Sequence, residues 1–191
     1  RRQRRQGNAG NGAGQVPVQS GCCHGKTAPE EIVDVGRARC PPFTVPMPPV
    51  QNKPVSLKIS EIFFSLQGEA TRVGLPTVFV RLTGCPLRCR WCDTTHAFSG
   101  GQRMSLEAIL REVSQYAARQ VCVTGGEPLA QPHCLTLLTR LCDAGYDVSL
   151  ETSGALDISA VDPRVSRIVD LKAPGSGEEA KNHWPNLAML N

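Results

Sequence analysis

The chain has 191 residues, of which 40% are hydrophobic and 20% charged, with nine cysteines and a formal net charge of +4. That length suits one domain with room for a sizeable core. No apolar run approaches the ~18 residues of a membrane span, and no apolar stretch after the basic start marks a secretory signal.

The charge is unevenly placed. Residues 1–53 hold eight Lys or Arg against three acids, whereas residues 54–191 hold thirteen against fourteen. The remainder is near neutrality and carries no electrostatic footprint for nucleic acid. Residues 1–54 are rich in Gly, Asn, Gln and Pro, without a sustained period of 2 or 3.6. They are expected to form a disordered basic extension, because such a stretch buries too little apolar surface to offset its ordering entropy. Arg1-Arg2-Gln3-Arg4-Arg5 reads as its solvated start, and Cys22-Cys23-His24 as incidental.

A folded domain is expected over residues 55–191. Leu57–Leu66 and Thr77–Leu82 read as strands joined by a loop from Gln67 to Pro76. Ser105 caps a helix running to Ala118, with Leu106, Ile109, Leu110, Val113 and Ala117 on one face. Val121–Thr124 is a short buried strand. Pro132–Ala144 is a helix with Leu135, Leu138, Leu141 and Cys142 inward, ended by Gly145. Val148–Glu151 is a strand, Ile158–Asp162 a short turn or helix, and Arg167–Leu171 a final strand. This alternation predicts an α/β fold with a parallel sheet or a partial, open β/α barrel. Arg81 and Cys85, Thr124-Gly125-Gly126-Glu127-Pro128, Glu151-Thr152-Ser153-Gly154 and Asp170-Leu171-Lys172 then gather at the C-terminal strand ends, where such folds place their sites.

The most informative feature is C-x3-C-x2-C at Cys85, Cys89 and Cys92. Three thiolates on one loop suit three irons of a 4Fe-4S cluster, which normally takes four protein sulfurs, so one iron stays open to a small molecule. A zinc site is the minority reading, since zinc sites usually pair two C-x2-C halves or add a histidine pair. Thiols on such a loop imply a reducing compartment, read here as the cytoplasm. Cys122, Cys134 and Cys142 sit at apolar positions and read as core.

Other segments read two ways. The Gly125-Gly126 pair allows close backbone approach to a ligand, or simply makes a strand-to-helix turn. Asp93-Thr94 offers a hydroxyl for Mg2+, or forms an ordinary polar turn. Leu66-Gln67-Gly68 with Glu69 suits the edge of a purine- or pterin-like ring. Arg81 suits a carboxylate ligand, unless it is an outward-facing residue sharing a face with Phe79.

These motifs together resemble the radical S-adenosylmethionine (SAM) superfamily, and within it the 7-carboxy-7-deazaguanine synthases of queuosine biosynthesis. The resemblance covers about residues 57–187. It implies a 4Fe-4S cluster on Cys85, Cys89 and Cys92, with SAM on the open iron. Trp91, Cys92 and Asp93 would line the adenine side of SAM, Gly126 its amino-acid side, and Asp170, Leu171 and Lys172 would complete that pocket. The implied substrate is 6-carboxy-5,6,7,8-tetrahydropterin. Leu66, Gln67 and Gly68 would hold its ring, Arg81 its carboxylate and Thr124 a further polar edge, with Mg2+ on Thr94. The implied reaction is a lyase step. A 5'-deoxyadenosyl radical takes hydrogen from the substrate, the ring contracts, ammonia leaves and SAM is regenerated. A homodimer and an electron donor such as a flavodoxin are implied as well. A glycyl-radical activase would share the cluster loop, and a non-catalytic Fe–S module would not need the other motifs. Ala70 stands where the family often has Gly, and a slightly altered turn is expected because alanine resists positive φ. The family also continues past the position of Asn191 into a segment that helps close the site and the dimer, so poor turnover by this chain is expected.

Overall fold

The computed structural model describes residues 55–190. The expected extension over residues 1–54, with Cys22-Cys23-His24, lies outside the described residues. Six strands form one sheet: β1 (Ser56–Leu66), β2 (Pro76–Leu82), β3 (Gln102–Ser105), β4 (Gln120–Gly125), β5 (Asp147–Thr152) and β6 (Ser166–Val169). Two α-helices, α1 (Leu106–Val113) and α2 (Cys134–Asp143), cross between strands. The order is β3-β1-β2-β4-β5-β6, with β3 and β6 at open edges. β2, β4, β5 and β6 are parallel, while β1 pairs antiparallel with both β2 and β3. The sheet is therefore mixed, an open partial barrel with a parallel half.

β3 was not anticipated. Gln102-Arg103-Met104-Ser105 is short and mostly polar, and pairing with Ser56–Ile59 makes it a strand, not its own propensity. α1 stops five residues before the expected Ala118, which leaves Ala117 exposed. Ser114 explains the early stop. Its Oγ donates back to the Arg111 carbonyl at 2.7 Å, competing with the helical ladder. The chain then carries Tyr116 over Phe64, with ring centroids 6.0 Å apart. At the other end Ser105 is the N-cap as expected, its Oγ accepting from Ala108 N. α2 buries Cys134, Leu137, Leu138 and Leu141, so its inward stripe includes Leu137, while Leu135 and Cys142 are only partly buried. Gly145 ends it with φ +88°, its N–H donating to the Cys142 carbonyl.

The two faces of the sheet differ. Val78, Val80, Leu82, Val121, Val123, Val148 and Leu150 point to the helices and pack with Leu106, Ile109, Val113, Leu138 and Leu141. Each such side chain contributes about 1.5–3 kcal/mol by leaving water. The alternate residues (Phe79, Arg81, Thr124, Glu151 and Ile168 among them) face a cavity on the concave side.

Candidate active site

The cluster loop leaves β2 through Thr83 and Gly84. The Gly84 N–H donates to the Ala97 carbonyl, and the Gly84 carbonyl accepts from Glu127 N at 2.8 Å. Leu87 is buried and anchors the loop from beneath. Arg88 ties it from within: Nη1 donates to the carbonyls of Cys85 and Leu87 at 2.8 and 2.6 Å, and its guanidinium lies 4.5 Å from the centre of the Phe98 ring. Arg88 N donates to Glu178 Oε1, and Arg90 N to the Ser176 carbonyl. The loop is thus fixed by the protein's own hydrogen bonds.

Cys85, Cys89 and Cys92 are free, half-buried thiols that all line the cavity. Burial pushes the Cys85 thiol up, with the charge of Glu127 adding to it and a hydrogen bond from the Leu87 backbone opposing. Among the described residues no three His, Cys, Asp or Glu side chains converge as they would on a single metal ion. On a cluster loop each thiolate takes a separate iron.

Beside the loop, the turn at Gly125-Gly126-Glu127 packs without slack. A Cβ on Gly126 would lie 2.6 Å from both Cys85 Cβ and the Gly84 carbonyl oxygen, so only glycine fits there. Glu127 is fully buried. Its carboxylate accepts from Leu129 N at 3.0 Å, from Ser153 N at 2.9 Å, from Thr152 Oγ1 at 2.8 and 3.0 Å, and from Ser153 Oγ. One buried anion therefore joins the β4 turn to the end of β5. At the rim, burial pulls the Lys172 ammonium down, but its ion pair with Asp170 and the nearby Cys89 and Cys85 outweigh this, and it is raised.

The opposite end of the concave face carries Leu66, Gln67, Gly68 and Glu69, beside the first residues of β2 and β4. Gln67 is buried, and its Nε2 donates to Glu151 Oε1 at 3.0 Å. The turn that follows puts Ala70 at φ +57°, so alanine accepts the left-handed conformation that it was expected to resist. Arg72 holds the turn in place, bonding Gln120 Oε1 at 2.7 Å, the Asp147 carbonyl at 2.9 Å and Ser166 Oγ at 3.0 Å. Arg81, the penultimate residue of β2, is turned into the cavity, which decides against an outward-facing arginine.

The cavity is about 440 Å³, within the usual range for small-molecule sites. It brings together most residues singled out from the sequence. Cys85, Cys89, Cys92, Asp93 and Thr94 line one end, with Gly126, Asp170 and Lys172. Leu66, Gln67, Gly68, Arg81 and Thr124 line the rest. Two are not brought in: Trp91 and Leu171 are 63% and 39% exposed and do not line the cavity. The Trp91 ring instead covers Gly175, where a Cβ would come within 2.7 Å of the indole. Several lining residues carry no role in the sequence reading, Phe63, Phe79, Leu87 and Phe98 among them. Phe63 and Phe79 stack with centroids 5.0 Å apart, and the period-2 spacing of Phe79 with Arg81 along β2 was the available signal.

A family model described as the radical SAM superfamily matches residues 79–172. The chain is 48% identical over 133 residues to 7-carboxy-7-deazaguanine synthase of Chlorobaculum tepidum, covering 70% of this chain and 60% of that one. It is 46% identical over 136 residues to the enzyme of the same name from Koribacter versatilis, again covering 70% and 60%. Among solved structures, the crystal structure of QueE from Escherichia coli matches with a TM-score of 0.55 and 32% identity over 60% of each chain. The chain thus spans about 60% of the length of these curated relatives. With its three-cysteine loop at the mouth of an open α/β sheet, the chain matches the radical SAM superfamily over residues 79–172 and resembles 7-carboxy-7-deazaguanine synthase.

Proposed function

We propose that this protein converts 6-carboxy-5,6,7,8-tetrahydropterin to 7-carboxy-7-deazaguanine with release of ammonia, as a radical SAM lyase of queuosine biosynthesis. One observation carries the reading: three free thiols on a braced loop face, across one cavity, a buried glutamine and an arginine turned into the same space. Cys85, Cys89 and Cys92 would hold the 4Fe-4S cluster, and the cluster with SAM supplies one-electron chemistry that abstracts a substrate hydrogen.

The chain's own residues position the partners. Gly126 keeps the wall beside Cys85 thin enough for the amino-acid end of SAM. Asp93, Asp170 and Lys172 border the same end of the cavity, and Trp91 and Leu171 would contribute through their backbone. Gln67 has one face committed to Glu151, and together with Leu66 and Gly68 it would border the pterin ring. Arg81 would take the carboxylate through paired N–H donors, and Thr124 would serve a further polar edge. Thr94, whose Oγ1 donates to Asp93 Oδ1 at 2.7 Å, would offer an oxygen to Mg2+, which would orient the substrate. A cytoplasmic location supports thiol ligation, and we place the protein there as a homodimer served by a flavodoxin-like donor.

Anaerobic reconstitution of the chain with iron and sulfide tests this, with dithionite, SAM, Mg2+ and 6-carboxytetrahydropterin added and products read by mass spectrometry. 7-Carboxy-7-deazaguanine is expected, formed slowly. 5'-Deoxyadenosine without it would reject the substrate, and a cluster that cleaves no SAM would reject the radical reading.

A further inference from the structure

β1 carries a bulge that alters which face its residues serve. Leu57 and Ile59 are core residues, and strict alternation would send Glu61 into the core after them. Instead the register with β2 shifts between Ile59 and Glu61: Ile59 lies opposite Leu82, and Glu61, not Ser60, lies opposite Arg81. The extra residue turns Glu61, Phe63 and Ser65 onto the cavity face and leaves Ile62 packed on the core. Re-aiming a side chain beside a site is a recurrent use of bulges.

The result is a built cradle for one guanidinium. Glu61 Oε1 accepts from Arg81 Nε at 2.7 Å, and Phe63 lies beneath with its ring centre 5.6 Å from Arg81 Cζ. Phe79 in turn backs Phe63. The two terminal nitrogens of Arg81 have no hydrogen-bond acceptor among the described residues. Glu61 itself does not line the cavity. The same Oε1 lies 3.4 Å from His96 Nε2, in the turn that follows the cluster loop.

We propose that Glu61 is a positioning residue for carboxylate recognition. It holds Arg81 by Nε, so that the Nη1/Nη2 fork stands free and aimed at the carboxylate of a ring substrate. The inference rests on the substrate reading above, and it adds that carboxylate selectivity depends on a residue outside the cavity. Glu61 also offsets the positive charge of Arg81. Its loss therefore frees charge while unfixing direction, and the two effects separate experimentally.

The test is binding to the full chain of two ligands, 6-carboxytetrahydropterin and 6-methyltetrahydropterin, by the parent, Glu61→Gln, Glu61→Ala, Arg81→Ala and the Glu61→Ala/Arg81→Ala double variant, each first shown folded by circular dichroism. Selectivity is the ratio of the two affinities. A lost charged hydrogen bond predicts that Glu61→Ala lowers selectivity about 10-fold. Glu61→Gln keeps an acceptor for Nε and should stay within about 3-fold of the parent. In the Arg81→Ala background, removing Glu61 should change nothing further, which a merely structural role would not produce. Equal weakening of both ligands by Glu61→Ala, unchanged selectivity, or additivity in the double variant overturns the positioning role. Absence of selectivity in the parent overturns the substrate reading, and with it the role built on it.

Discussion

Replacing Glu127 by glutamine tests whether one buried carboxylate joins the β4 turn to the end of β5. Glutamine keeps the shape but turns one acceptor oxygen into a donor. If the NH2 takes the Oε2 position it faces Ser153 N, and if it takes the Oε1 position it faces Leu129 N. Either orientation strands one buried backbone N–H, at about 1–3 kcal/mol. Thr152 and Ser153 can rotate their hydroxyls, but their bonds lose the strength that a charged acceptor lends. The expected destabilisation is about 2–4 kcal/mol, a large part of the ~5–15 kcal/mol of a typical domain. Glu127→Ala strands both N–H groups and opens a cavity, and should cost more. The assay is urea unfolding of the metal-free chain under reducing conditions, followed by circular dichroism. The Glu127→Gln midpoint should fall by roughly 1–2 M. A midpoint within about 0.3 M of the parent would refute the view of Glu127 as the junction.

Three further outcomes are expected. Gly126→Ala should displace the cluster loop, since its Cβ would meet Cys85 Cβ and the Gly84 carbonyl at 2.6 Å; after reconstitution its iron content and visible absorption should fall well below the parent's, and a full complement would contradict the close packing. Ala70→Gly should stabilise the chain by about 0.5–1 kcal/mol in thermal or urea unfolding, because it relieves a left-handed alanine at φ +57° by more than the added chain entropy takes back. The third concerns Cys134, whose thiol burial pushes up to about 12, with the charge of Glu127 adding to it. A raised thiol pKa means that the native state keeps a proton that the unfolded state releases, so stability holds below pH 9 and is lost as pH rises from 9 toward 12. By pH 10 Cys134 alone should cost about 1.4 kcal/mol relative to pH 8, and Cys134→Ala should flatten that part of the pH profile by the same amount.

Strong local signals in the sequence translated well into structure. The Ser105 cap, the glycine stop at Gly145 and the β-rich runs at β1, β2, β4 and β5 all appear within a residue or two of their expected places. What failed depended on distant partners. β3 exists because β1 lies beside it, and beyond the Ser114 stop of α1 the chain is carried over to stack Tyr116 on Phe64. At the site, cysteine spacing and the glycine pair were legible because their chemistry is written in neighbouring residues. Glu61 was not, since its direction depends on a bulge that no alternation pattern reveals. Trp91, assigned through the resemblance, has its ring outside the cavity against Gly175, because a loop this tight sends neighbouring side chains different ways.

Arg72 gives the cavity a ruler. It grips Gln120 and Asp147, the first residues of β4 and β5, and so fixes the Leu66–Glu69 end to the strand starts. The far ends of the same strands, Gly125 and Thr152, hold the turn beside Cys85. Six residues in each strand then set a separation of about 16 Å between the two ends. A homologue with strands longer by two residues would move its thiols about 7 Å farther from its glutamine. Such a protein could keep every motif intact and still be tuned to a longer ligand.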